Sequence, residues 1–220
     1  MLDHKQFCAY DLDLPVTNFL TDMAKLQPLM DTFPTPNETG YWPHGEKRVW
    51  GIQYAQSEKI LSEEYLDVIR NVLKIDDSHN LLGTGIHGED GGEGTVAWFR
   101  GEPNTHMHIH TDGGACWAIN VVWGADNADM VWWQPKPGEQ HHDRVSITGR
   151  SAPSWWESQC IELDRFPMAT PRAKLVRTDI PHSAENHSST VRWACSIRDH
   201  HKQWTWEQAV ENLAQWIIPR

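Results

Sequence analysis

The chain is short of cysteine, short of positive charge and without a long apolar run, and each shortage narrows what it can be. Its four cysteines, Cys8, Cys116, Cys160 and Cys195, form no C-x-x-C pair and show no other metal-ligand spacing. Cys116 and Cys195 sit in apolar, strand-like runs, so the expectation is buried, reduced thiols in a cytoplasmic protein. Nineteen Lys and Arg stand against 30 Asp and Glu, a formal net charge of −11, which argues against nucleic-acid backbones and anionic membranes as partners. The longest stretch free of charged residues, Gly113 to Ala125, has 13 residues, fewer than the roughly 18 to 20 that cross a bilayer. The opening MLDHKQFCAYDLDLP is broken by charges and lacks the apolar core of a secretion signal. Phe (5) and Tyr (4) are few, but Trp is abundant at 13, and a chain this rich in large aromatics is not disordered along its length.

The length of 220 residues suits one domain with a full core. Its texture changes near Gly92. Residues 1–92 read as helices and loops packing on a β-rich remainder. The clearest helix is Ser57 to Asp76, where Ile60, Leu61, Tyr65, Val68, Ile69, Val72 and Leu73 form one apolar stripe. From about Gly94 to residue 199 the period becomes two, in the runs TVAWFR, HMHIHT, CWAINVVW, DMVWWQ, RVSIT, KLVRTDI and TVRWACSI. Such short strands separated by turn residues suggest a sandwich, barrel or jelly roll. The Pro- and Gly-containing segment from Pro135 to Arg172 reads as a long functional or mobile insert. A final helix within 203–218 is signalled by the capping box Thr205-Trp-Glu-Gln208, then Ala209, Val210, Leu213 and Trp216 at helical spacing.

The segment carrying the most chemistry is His106-Met-His-Ile-His-Thr-Asp112. On a strand, His106, His108, His110 and Asp112 share one face, a geometry that suits a metal ion and equally a wet strand face. Some seventy residues on comes Ile180-Pro-His182-Ser-Ala-Glu-Asn186, then Arg192 in a strand-like run. Two imidazoles and one carboxylate make the facial triad of non-haem Fe(II) sites, which leaves coordination positions open. His110, Asp112 and His182 would supply it, and Arg192 offers the planar fork that grips a carboxylate. On the last strand Arg192, Ala194, Ser196 and Arg198 share a side, opposite Val191, Trp193, Cys195 and Ile197. On the run from Cys116 to Trp123, Ala118, Asn120 and Val122 lie opposite Trp117, Ile119 and Val121. If the bulky faces pack against helices, the small faces look into a space that could take a small diacid.

The pattern His110-x-Asp112, distal His182 and Arg192 ten positions later resembles that of the Fe(II) and 2-oxoglutarate dependent oxygenases, over roughly Gly94 to Arg198. Within them the short spacing and the PHSAEN segment resemble small aspartyl/asparaginyl and prolyl hydroxylases. The resemblance implies a mainly β, double-stranded β-helix (jelly-roll) core with flanking α-helices. It implies Fe(II) held by His110, Asp112 and His182, with 2-oxoglutarate and O2 as co-substrates. Arg192 would meet the distal carboxylate of 2-oxoglutarate, with Arg198 as the alternative partner. Ala194 departs from the Arg-x-Ser variant of these enzymes, so a second hydrogen bond would come from Ser196 or Asn120. The implied reaction hydroxylates an unactivated C–H of an amino acid, a protein side chain or a small metabolite. Trp155 and Trp156 in the insert, and His108, are the candidates to meet that substrate.

Two rival readings share parts of this pattern. A cupin metal protein has the same architecture, and His108-x-His110 and His182-x-x-x-Asn186 resemble pieces of its motifs. The Glu expected after the first His pair is replaced by Asp112-Gly-Gly, and the Pro-x-Gly before the distal His is missing. A non-catalytic, Trp-rich binding module on a β-sandwich would explain Trp155 and Trp156. It leaves the His/Asp strand with its distal His and Arg unexplained. His141, His142, His200 and His201 read as solvated loop residues.

Overall fold

The computed structural model describes residues 7–14, 96–112, 115–145, 151–169, 172–198 and 204–219; the expected helix at 57–76 and His200 and His201 lie outside them. The described strands form two antiparallel sheets. The first runs in the order β1 (Ala9–Leu12), β10 (Ala173–Arg177), β5 (Trp117–Trp123), β12 (Arg192–Arg198) and β2 (Val96–Gly101). The second runs β7 (His142–Val145), β8 (Ser151–Trp155), β4 (Ile109–His110), β11 (His182–Asn186), β6 (Ala128–Pro135) and β9 (Cys160–Pro167), with β3 (Thr105–His106) also on β11.

Chain order makes this a jelly roll. Strands β2, β4, β5 and β6 alternate between the sheets, β6 and β9 pair within one sheet, and β10, β11 and β12 alternate again. The order β2-β12-β5-β10 therefore faces β4-β11-β6-β9, the interlocked arrangement of a double-stranded β-helix. The fold is mainly β, as the sequence implies.

The two faces of β5 and β12 divide as their alternation requires. Trp117, Ile119, Val121, Trp193, Cys195 and Ile197 pack outward against Trp206, Ala209, Val210 and Leu213 of the C-terminal helix region. Ala118, Val122 and Ala194 face inward and join Met130, Trp132 and Phe166 of the second sheet. Burial of each large side chain in these layers contributes about 1.5–3 kcal/mol. Helix α1 (Trp206–Asn212) starts where the sequence places it. The Gln208 N–H donates to Thr205 Oγ1 (3.3 Å), and the Thr205 N–H donates to Gln208 Oε1 (2.9 Å). Among the described residues, no helix is long and apolar enough to cross a membrane. None of the four cysteines is in a disulfide; three are buried and Cys116 is half-buried.

The fold departs from the sequence reading at three places. The N-terminal segment supplies β1, a strand rather than a helix or loop, which adds to the edge at β10. The presumed insert from Pro135 to Arg172 contains three strands, β7, β8 and β9. Its last strand, CIELDRFP, escapes a period-two reading because the register slips between Trp132 and Trp133 of its partner, and so the faces do not alternate evenly. The histidine strand is likewise broken into β3 and β4, which turns His106 outward to solvent while His108 and His110 are buried.

Candidate metal centre

Each member of the His/Asp/His set reaches the site from a different part of the jelly roll. His110 ends β4, and His182 opens β11 directly opposite it in register. Asp112 lies just past β4, where the chain crosses toward the first sheet. Thr178, after β10, holds that crossing at three points. Its carbonyl accepts from the Asp112 N–H (3.1 Å), its N–H donates to the Cys116 carbonyl (3.0 Å), and its hydroxyl donates to the Ala115 carbonyl (2.9 Å). Thr178 is buried, and the sequence reading missed its role.

The ligand atoms of His110, Asp112 and His182 all lie within 4.8 Å of one another. Nε2 of His110 is 3.4 Å and Nε2 of His182 is 4.0 Å from Asp112 Oδ1. Both opposite ring nitrogens are committed to the backbone. Nδ1 of His110 is 2.8 Å from the His108 carbonyl, and Nδ1 of His182 is 2.9 Å from the Ile180 carbonyl. A carbonyl only accepts, so each Nδ1 carries the proton and each Nε2 presents a lone pair to the space beside Asp112. Outer hydrogen bonds of this kind orient metal-binding imidazoles and raise their basicity. Two imidazole nitrogens and one carboxylate oxygen, converging from a buried wall, fit a divalent transition ion with open coordination positions.

Trp132 closes one side of the group. It pairs with His182 in register and donates from Nε1 to the Arg177 carbonyl (2.8 Å), which ties the two sheets together beside the triad. His108 does not join the three. Its ring packs edge-on to Trp156 (5.5 Å between centroids), and it contributes its backbone carbonyl to His110.

Arg192 opens β12 on the inward face and is only 3% exposed. Its Nε has no hydrogen-bond partner, and among the described residues no carboxylate pairs with it. Burial alone pushes its guanidinium down to about 10. Farther along the same face, Ser196 lies opposite Asn120, and Asn120 lies opposite Lys174, which makes a polar rung across the first sheet. Asn120 Oδ1 is buried without a hydrogen-bond partner. The rung sits four residues from Arg192 along β12, roughly 13 Å at Cα. The backbone of Arg198 continues this strand, opposite Ala118.

The remaining sequence candidates separate. Asn186 of PHSAEN is a clamp, its side-chain amide donating to the carbonyls of Glu102 (2.9 Å), Thr190 (2.9 Å) and Gly101 (3.3 Å). This pins the loop that delivers Arg192. Gly124 belongs to the same end: its φ is +84°, and a Cβ there would come within 2.5 Å of the Val191 carbonyl. Trp155 faces away from the triad, opposite Ile109 and against the outer cluster of Ile109, Val131, Trp133 and Cys160. Trp156 lies on the triad's side, with its ring stacked on His142 (4.7 Å, 17°). His142, read from sequence as a solvated loop residue, is a half-buried residue of β7.

No protein-family model matches this chain, and neither does any curated protein. Several solved structures resemble it distantly. Bacillus subtilis oxalate decarboxylase, in a structure concerned with its Mn(II) centres, is 13% identical with a TM-score of 0.29, over 48% of this chain and 22% of that one. This chain thus spans about a fifth of the decarboxylase's length. E. coli ycfD is 10% identical with a TM-score of 0.38, over 83% of this chain and 40% of that one. The epimerase SnoN, in complex with Fe3+, alpha ketoglutarate and nogalamycin RO, is 9% identical with a TM-score of 0.45, over 89% of this chain and 80% of that one. At such identities and scores these likenesses support no functional argument, and the jelly roll rests on the strand order itself.

Proposed function

We propose that this chain is an Fe(II)- and 2-oxoglutarate-dependent dioxygenase that hydroxylates an unactivated C–H bond. The observation that carries this reading is a pair of complementary half-sites on the two facing sheets. A two-imidazole, one-carboxylate face lies at the triad, and a guanidinium without a carboxylate partner among the described residues lies on the opposing sheet. A dicarboxylate that chelates a metal at one end needs both. When bound, iron and 2-oxoglutarate would supply the oxidising chemistry: one O2 oxidises 2-oxoglutarate to succinate and CO2 and leaves one oxygen atom in the hydroxylated product.

The chain's own residues hold and shield. His110, Asp112 and His182 would bind the metal through Nε2, one carboxylate oxygen and Nε2. The His108 and Ile180 carbonyls keep both rings in the required tautomer. Arg192 would meet the distal carboxylate with two parallel donors, and Asn120 and Ser196 offer further polar contacts on the same face. Phe99, Val122 and Ala194 supply apolar wall that excludes water. The cupin reading is less well served, because His108 turns to Trp156 and supplies no third imidazole.

The test is anaerobic addition of Fe(II) and 2-oxoglutarate to the purified chain. A visible charge-transfer band of the chelate is expected, lost in His110→Ala and in Asp112→Ala. Absence of the band in protein that demonstrably binds Fe(II), or its survival in both variants, overturns the proposal.

A further inference from the structure

The triad belongs to a longer row of side chains. Across the second sheet, Trp132, His182, His110, Ser154 and His142 stand in one continuous register on β6, β11, β4, β8 and β7. Residues paired directly across antiparallel strands point to the same face. His142 therefore looks into the same space as His110, two strand spacings away, roughly 10 Å. Trp156 lies flat on the His142 ring, and His108 meets Trp156 edge-on, so the three rings make a shelf beside the metal face.

A jelly roll closes without β7 and β8. Here the hairpin leaves from the end of β6, returns to the far side of the same sheet and docks on β4, the strand that carries His110. Covering a free strand edge is one consequence. Edge cover alone does not require aromatic rings on the inward face, and the second His–Trp pair, His141 with Trp155, lies on the outward side.

We infer that His142, Trp156 and His108 form the substrate-recognition shelf of the iron centre, and that the substrate places a planar ring on it. The row offers π faces and the buried Ser154, and ring stacking on aromatic side chains is favourable for any flat ring. The spacing sets the substrate's size: its reacting C–H lies less than about 10 Å from the ring. This inference rests on the metal-centre reading above, and its test separates the two.

The probe is indole, observed by NMR with the full-length chain. Saturation transfer from metal-free protein to indole is expected, falling at least fivefold in His142→Ala and in Trp156→Ala and staying within twofold in Trp155→Ala. With Mn(II) added, the wild-type chain should broaden the indole resonances, and His110→Ala should abolish the broadening while keeping saturation transfer. Equal losses in Trp155→Ala and Trp156→Ala, or no loss in His142→Ala, would overturn the shelf. Indole bound without broadening, by protein shown to bind Mn(II), would also overturn it. Failure to bind Mn(II) at all would overturn the metal centre instead, and the metal-free comparison would still decide the shelf. Should Trp156→Ala unfold the chain, His142→Ala on the outermost strand decides alone.

Discussion

Arg192 shows at the scale of one residue how function is set against stability. A guanidinium at 3% exposure without a carboxylate partner among the described residues gives up hydration and gets no ion pair from those residues in return. The fall to about 10 corresponds to a cost on the order of 3 kcal/mol. Between about pH 10 and the unfolded arginine's higher value, the unfolded chain binds more protons, so ligand-free stability rises with pH through that window. Below it the full cost is present, and a bound dicarboxylate would relieve it. Arg192→Met, which keeps the stem and removes the charge, is therefore expected to raise ligand-free stability by about 1–3 kcal/mol in urea unfolding while weakening 2-oxoglutarate binding at least a hundredfold. A variant that is less stable and still binds the dicarboxylate would show that the guanidinium packs rather than recruits. The spacing of Arg192 from His182 was visible in the sequence. Its separation from the described carboxylates was not, because that depends on which strands face each other.

At the scale of elements, the site depends on one crossing between sheets, from His110 through Asp112 to β5, and on the residue that holds it. Thr178 makes three hydrogen bonds to that crossing, of which only one uses its side chain. Thr178→Val keeps the shape and leaves the buried Ala115 carbonyl without its donor, with an expected loss of about 1–3 kcal/mol of stability and about tenfold in metal affinity. Metal titration of the folded variant checks this; unchanged affinity would mean that the two backbone bonds suffice to place Asp112. Sequence reading succeeded where one strand carries a clean alternation, as in β5, β12 and the capping box of α1. It grouped His110, Asp112 and His182 through the resemblance of His110-x-Asp112 with a distal His, and the structure sets their ligand atoms within 4.8 Å of one another. Thr178, His142 and the outward turn of Trp155 escaped it, since each is defined by a cross-strand partner that local periodicity does not name. The histidine strand misled in a related way, because the break between β3 and β4 separates His106 from a face that alternation would have it share.

At the scale of the molecule, charge is distributed against the total. The chain carries −11 overall, yet Lys174 and Arg192 are buried residues of the first sheet, while the Asp112 side chain at the triad is shielded from solvent as well. Both cations point between the sheets, so a dianion that meets Arg192 there finds a local charge opposite in sign to the net charge of the chain. Lys174 differs from Arg192 in having a carboxylate among the described residues: its Nζ is 2.8 Å from Asp11 on β1 and 5.9 Å from the Phe166 ring on β9. The lysine is fully buried while Asp11 is about one-third exposed, and this asymmetry predicts unequal partners. Asp11→Asn strands an ammonium in the interior and is expected to cost about 3–5 kcal/mol, whereas Lys174→Met leaves a half-wet carboxylate and is expected to be close to neutral. Burial holds the lysine below its usual range, so without Asp11 the folded chain sheds that proton before the unfolded chain does. The deficit of Asp11→Asn in urea unfolding should therefore shrink as pH rises toward the unfolded lysine's value. Equal and pH-independent losses in the two variants would show that the pair acts as a hydrogen bond across the β1–β10 edge and not as the counter-charge of a buried cation.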